Sequence, residues 1–153
     1  MSQDWIVTVD GSCIKNGRYG ASAGYGVFWR YNDSRNECGS VEGDQKSGRA
    51  ELTAVKRAIN IALQYRLTRL KIRTDSQYAV NALTVWIHKW RYNGWLNCKG
   101  QTIENYDLIR EIDYLMKKIP VRFQFVRGHN GDYWNEQADR MAKRAAKEGY
   151  YSY

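Results

Sequence analysis

Four carboxylates, Asp10, Glu51, Asp75 and Asp139, fall where strands and helices should begin or end. Asp10 follows the β-rich run from Trp5 to Val9 and opens the turn signal Asp10-Gly11-Ser12, while Asp75 follows the run from Leu70 to Thr74. If those strands are parallel neighbours, both acids reach the same edge of one sheet. Glu51, in the first turn of its helix, and Asp139 lie beside the apolar stripes of two helices, so each can project toward the strand ends. Taken singly, an Asp before Gly is a turn residue, Asp75 is a cap, and an acid on an amphipathic helix is solvated. Taken together, gathered carboxylates repel one another, and such a cluster implies bound cations. An all-oxygen ligand set suits Mg²⁺, which also takes phosphate oxygens.

The elements that would position these acids follow from periodicity. After the first strand, a loop rich in Gly and basic residues (Lys15 to Gly24) leads to a strand over 25–29, and a weaker one spans 35–41. Short connections between the three suggest an antiparallel meander. Leu52, Val55, Ile59 and Ala62 recur at helical spacing and predict a helix over 49–65. A strand over 70–74 precedes a helix from about residue 76, with Asp75-Ser76 as cap chemistry. Asn105 is placed to cap a helix running to Lys118, ended by Pro120, and 121–126 alternates as a fifth strand. Ala138, Met141, Ala142 and Ala145 give the inner stripe of a last helix. The order βββαβααβα, with strand–helix–strand crossovers, predicts an α/β fold: a mixed sheet flanked by helices.

The chain has 153 residues, 43% of them hydrophobic and 26% charged, which suits one domain over residues 1–153. No apolar run approaches the roughly 20 residues of a membrane span, and the start does not read as a signal peptide. Cys13, Cys38 and Cys98 are odd in number and form no CxxC pair, against both a disulfide framework and a zinc site. The expectation is an intracellular protein, with cytoplasm, nucleus and mitochondrion undistinguished. A net charge of +8 favours a polyanionic partner, nucleic acid or an anionic membrane surface. Six Trp and twelve Tyr fill core and strand positions or offer rings for base stacking.

Val9-Asp10-Gly11-Ser12, Arg49-Ala50-Glu51-Leu52, Thr74-Asp75-Ser76-Gln77, and Gly128-His129-Asn130-Gly131 followed by Asn135-Glu136-Gln137-Ala138-Asp139 resemble the signature blocks of type 1 ribonuclease H. They match in order and spacing, and the resemblance covers essentially the whole chain. It implies a ribonuclease H-like fold, a five-stranded sheet in the order 3-2-1-4-5, with Asp10 on the central strand and Asp75 on its neighbour. The implied activity is endonucleolytic hydrolysis of the RNA strand of an RNA–DNA hybrid, leaving 5′-phosphate and 3′-hydroxyl ends. The implied cofactor is a pair of Mg²⁺ ions, with Mn²⁺ as a substitute, roughly 4 Å apart. Asp10 would bridge them, and Glu51, Asp75 and Asp139 would complete the shells. His129 by itself reads as a surface histidine; the resemblance gives it a part in proton transfer or in product and metal release, which an imidazole pKa near 6.5 suits.

The stretch from Trp86 to Trp95 interleaves basic and aromatic residues, and Trp86 and Trp90 share a helix face. It reads either as an aromatic cluster stiffening a protruding segment, the reading preferred for Trp95, or as a grip on phosphates and sugars. The resemblance favours a basic protrusion, with Tyr78, Trp86 and Trp90 lining the DNA groove, Asn105 binding phosphate and Asn16 touching RNA. The sequence departs from the family where Thr-Asn-Gln/Asn-Arg often precedes the catalytic Glu: here Lys46, Ser47 and Gly48 come before Arg49. Asp44 stands where some relatives have a phosphate-gripping arginine, with Lys46 placed to compensate. These changes leave the chemistry intact and bear on strand discrimination, which depends on the 2′-hydroxyl. Three other readings exist. The histidine block, Asn16 and the protrusion oppose a superfamily nuclease or strand-transfer enzyme acting on DNA. Retention of all four acids opposes a binding module with a decayed site. A domain of a reverse transcriptase stays open. A monomer is expected.

Overall fold

The computed structural model describes residues 3–128 and 130–151. Its centre is a five-stranded sheet in the order β3-β2-β1-β4-β5. The strands are β1 (Trp5–Ile14), β2 (Ser22–Phe28), β3 (Glu37–Ser40), β4 (Leu70–Thr74) and β5 (Val121–Phe125). The first three form the expected meander, with β1–β2 and β2–β3 antiparallel. The β1–β4 and β4–β5 pairs are parallel, as crossovers through helices require. The helices are α1 (Ser47–Gln64), α2 (Gln77–Asn81), α3 (Ile87–Asn93), α4 (Tyr106–Met116) and α5 (Tyr133–Tyr151).

Two readings of the sequence are corrected. The turn signal at Asp10-Gly11-Ser12 is no turn, because β1 runs on to Ile14 and pairs with β2 throughout. Gly11 is there for space: a β-carbon on it would stand 2.6 Å from the Ala50 carbonyl carbon, so α1 crosses β1 backbone to backbone. The single helix expected from residue 76 is α2 and α3 joined by a π turn, Ala82–Trp86. Its wider turn re-aims everything after Trp86 relative to an unbroken helix.

The core lies between the sheet and the α1 layer. Val7, Val9, Leu52, Val55, Ile59, Ile72, Ile109 and Ile112 are fully buried there, each such side chain stabilising the fold by about 1.5–3 kcal/mol. The opposite face of β1 and β2 is covered by α5, whose buried positions are mostly alanine. Small residues meet small residues here: a β-carbon on Gly26 would stand 2.5 Å from the Ala138 carbonyl oxygen, and one on Gly24 2.6 Å from that of Ala142. The helix is therefore seated on the strand backbone. Its start is fixed by Asp132, whose Oδ1 accepts from the Asn135 N–H at 2.9 Å while its carboxylate is held by Arg73 of β4.

The three cysteines are free. Among the described residues, no helix is long and apolar enough to cross a membrane.

Candidate active site

The parallel β1–β4 ladder ends at Thr8 opposite Arg73. Asp10 and Asp75 each lie two residues further on, so both acids reach the same end of the ladder, as the sequence reading requires. Asp10 pairs with Gly26. Both face α5, because Gly26 is the residue on which that helix rests. Asp139 in α5 consequently comes close enough to Asp10 to act on its carboxyl. Glu51 comes from α1, which begins at Ser47 rather than 49, so the acid stands just past the first turn and is half-buried.

Asp10 is only 4% exposed. Burial first, then the charge of Asp75 and the hydrogen bond and charge of Asp139, push its carboxyl up to about 9. The Gly11 N–H donates to its Oδ1 at 2.9 Å and opposes that rise. Burial also raises Glu51, assisted by the charge of Asp75 and opposed by a hydrogen bond from the Ser76 hydroxyl. That hydroxyl in turn accepts from the Ala79 N–H at 3.0 Å, so Ser76 caps α2 and holds Glu51 at once. Lys143 offsets part of the negative charge, with its Nζ 2.9 Å from Asp139.

This donor set fits a hard divalent cation. It is all oxygen, and two of its four acids resist ionising without a positive neighbour. Among the described residues, no three acidic, histidine or cysteine side chains are already closed around one point. The acids are neighbours rather than a finished cage.

A cleft of about 530 Å³ opens beside Glu51 and Asp75. Six of the residues expected to touch nucleic acid line it: Asn16, Lys46, Ser47, Gly48, Tyr78 and Asn105. Asn16 also secures the start of α1, its Oδ1 accepting from the Ser47 N–H at 3.1 Å. Lys46 spans 3.3 Å to Glu104 in an exposed pair, which is weak enough to be exchanged for a phosphate. Trp86 and Trp90 border a neighbouring cleft of about 640 Å³ with Lys89. Their rings are 6.0 Å apart, and Trp86 lies 6.2 Å from Tyr78, so the aromatic row connects the two clefts. Trp95 packs against the core and Tyr106, in keeping with its reading as part of the local cluster. His129 lies outside the described residues.

The cap expected of Asn105 is a correction. It occupies the position before α4 with φ of 60°, and its side chain makes no cap bond. The amide turns toward Tyr78 and Arg49 instead. Arg49 and the Glu51-holding role of Ser76 escaped the sequence reading. Arg49 left a signal, because it falls three residues before Leu52, in phase with the apolar stripe, where a charge must find a partner.

The profile of the family described as RNase H matches residues 2–147. The chain is 41% identical over 144 residues to the ribonuclease H of Schizosaccharomyces pombe, covering 94% of this chain and 53% of that protein. It is 38% identical over 148 residues to ribonuclease HI of Neisseria meningitidis serogroup B, covering 97% of this chain and 99% of that one. It thus spans about half the length of the yeast protein and of mammalian relatives, and nearly all of the bacterial one. Among solved structures, LC9-RNase H1, a type 1 RNase H with the type 2 active-site motif, superposes with a TM-score of 0.74 at 31% identity. That match covers 97% of this chain and 75% of the other.

Proposed function

The chain belongs to the ribonuclease H family, and from that premise we propose that it is an endoribonuclease hydrolysing the RNA strand of RNA–DNA hybrids as a single, monomeric catalytic domain. The observation that carries this reading is the convergence of Asp10, Glu51, Asp75 and Asp139 beside a cleft lined by amide, hydroxyl and cationic groups.

Asp10, Glu51, Asp75 and Asp139 would hold two Mg²⁺ ions, or Mn²⁺ in their place. Bound there, the ions would supply the positive charge that favours attack by water and departure of the 3′ oxygen, leaving 5′-phosphate and 3′-hydroxyl ends. The chain's own part is to set that geometry. Gly11 N–H fixes one Asp10 oxygen, Ser76 fixes Glu51, and the seat of α5 fixes Asp139. Lys46, Tyr78 and Asn105 present donors to backbone phosphate. Asn16 and Ser47, with the backbone at Gly48, face the RNA strand, where a 2′-hydroxyl can both donate and accept. The Trp86 and Trp90 rings, with Lys89, take the DNA strand. By the family resemblance His129 would assist proton transfer or product and metal release.

The test is incubation with end-labelled RNA–DNA hybrid, duplex RNA and duplex DNA, each with and without Mg²⁺. Metal-dependent cuts confined to the RNA of the hybrid, bearing 5′-phosphate ends, are expected. Absence of metal-dependent cleavage of the hybrid overturns the reading.

A further inference from the structure

Arg49 is 9% exposed, and every polar contact of its guanidinium is directed. Nη1 and Nη2 grip Asp107 at 2.9 and 2.7 Å, and Nε donates to the Glu42 carbonyl at 2.6 Å. Gly43, at φ of 85°, leaves room for the group, since a β-carbon there would stand 2.9 Å from Nε. The remaining contact runs from Nη1 to the Asn105 side-chain oxygen at 3.4 Å.

A guanidinium has donors and no acceptor. It can therefore face only the oxygen of the Asn105 amide, and both amide hydrogens must point the other way. One goes to the Tyr78 hydroxyl oxygen at 3.0 Å. With that oxygen accepting, the phenol keeps its own proton to give. Tyr78 and Asn105 both line the cleft, and the Tyr78 ring lies against Gly48, where a β-carbon would meet it at 3.2 Å. Arg49, Asn105 and Tyr78 thus form a chain of hydrogen bonds with one direction, donors outward.

We propose that Arg49 is a positioning residue, setting the direction of an Asn105–Tyr78 donor relay so that it meets a backbone phosphate oxygen of the bound hybrid. An amide turned the other way would present its oxygen to an anion and repel it. The proposal rests on the nucleic-acid reading of the cleft. It assigns to Arg49 an effect on binding exerted wholly through Asn105.

The experiment is a double-mutant cycle between Arg49→Met and Asn105→Ala. Each protein is measured for hybrid Kd in metal-free buffer, for KM and kcat with Mg²⁺, and for thermal midpoint. Each single change should raise Kd and KM roughly tenfold with kcat within about twofold, and the double variant should be no worse than the worse single. Tyr78→Phe should show a smaller rise in Kd. Arg49→Lys, which keeps a donor, should recover part of the loss, and supplies the cycle if Arg49→Met does not fold. Asp107→Asn controls for the ion pair: it should lower the midpoint and leave Kd near wild type. Multiplying losses in the double variant, an unchanged Kd in Arg49→Met, or an Asp107→Asn protein that reproduces the Kd rise would each overturn the proposal. A wild-type protein that binds the hybrid but does not cut it refutes the nuclease reading and leaves the relay standing.

Discussion

Gly128 lies against the Asp75 carboxylate so closely that a β-carbon on it would stand 2.5 Å from Oδ2. The loop before α5 therefore works as a wall for the acid at the end of β4. Gly128→Ala should force that carboxylate to rotate out of place with little cost to packing. The expected result is a loss of at least about tenfold in kcat on saturating hybrid, with a thermal midpoint close to wild type. An unchanged kcat would mean that Asp75 has freedom the wall does not allow.

Asp10 takes up a proton on folding, since its carboxyl sits at about 9 in the fold against about 3.9 in an unfolded chain. Between those values the folded protein holds more protons than the unfolded one. Metal-free stability should therefore fall as pH rises from about 4 to about 9. Asp10→Asn should flatten this slope, raise the midpoint in alkaline buffer and abolish cleavage while hybrid binding survives. Calorimetry across that pH range, with a gel-shift assay in metal-free buffer, checks all three. Because cation binding must displace the proton, the apparent Mg²⁺ affinity of the wild type should rise with pH.

Ser76→Ala removes the hydroxyl shared by Glu51 and the start of α2. Loss of the cap should cost about 1 kcal/mol of stability. Glu51, without its donor, should be harder still to ionise, so the Mg²⁺ concentration for half-maximal rate should rise. Ser76→Thr keeps the hydroxyl and should restore most of both. A Ser76→Ala protein with the wild-type Mg²⁺ requirement would show that the hydroxyl serves only the helix.

A β-carbon on Gly26 meets backbone of α5, which cannot swing aside as a side chain can. Gly26→Ala should destabilise the fold by about 1–3 kcal/mol and move Asp139 away from Asp10. Denaturant unfolding gives the first effect. A kcat loss that raised Mg²⁺ does not fully repair gives the second.

Trp86 is 41% exposed and touches both Tyr78 and Trp90. Trp86→Ala should weaken hybrid binding by about 1–3 kcal/mol, with little change in salt dependence because no charge is lost. Lys89→Gln should do the reverse, lowering the slope of log Kd against log salt with a smaller effect on affinity. Fluorescence titrations at several salt concentrations separate the two.

The order of strands, the parallel β1–β4 pair and the four acids were legible in the sequence because they rest on periodicity and on motif blocks. Misreadings gathered at close backbone approaches. Gly11 looked like a turn residue, and Gly24 looked like part of a loop, because a single chain cannot reveal that α1 or α5 will press on those positions. The π turn at Ala82–Trp86 carries no local signature distinguishing it from ordinary helix. The contact between Arg49 and Asn105 was hidden for another reason. The two residues lie 56 positions apart in the chain, and only the docking of α4 on α1 brings them together.

The pairing of Asp10 with Gly26 gives the acid cluster its datum. The strand residue opposite one acid is also the surface against which the helix carrying another is gauged, so only one strand-to-helix gap separates them. Dimensional error from the rest of the molecule does not accumulate between Asp10 and Asp139. The protrusion, the loops and the far end of α5 can therefore be rebuilt, and the spacing of those two acids is inherited unchanged.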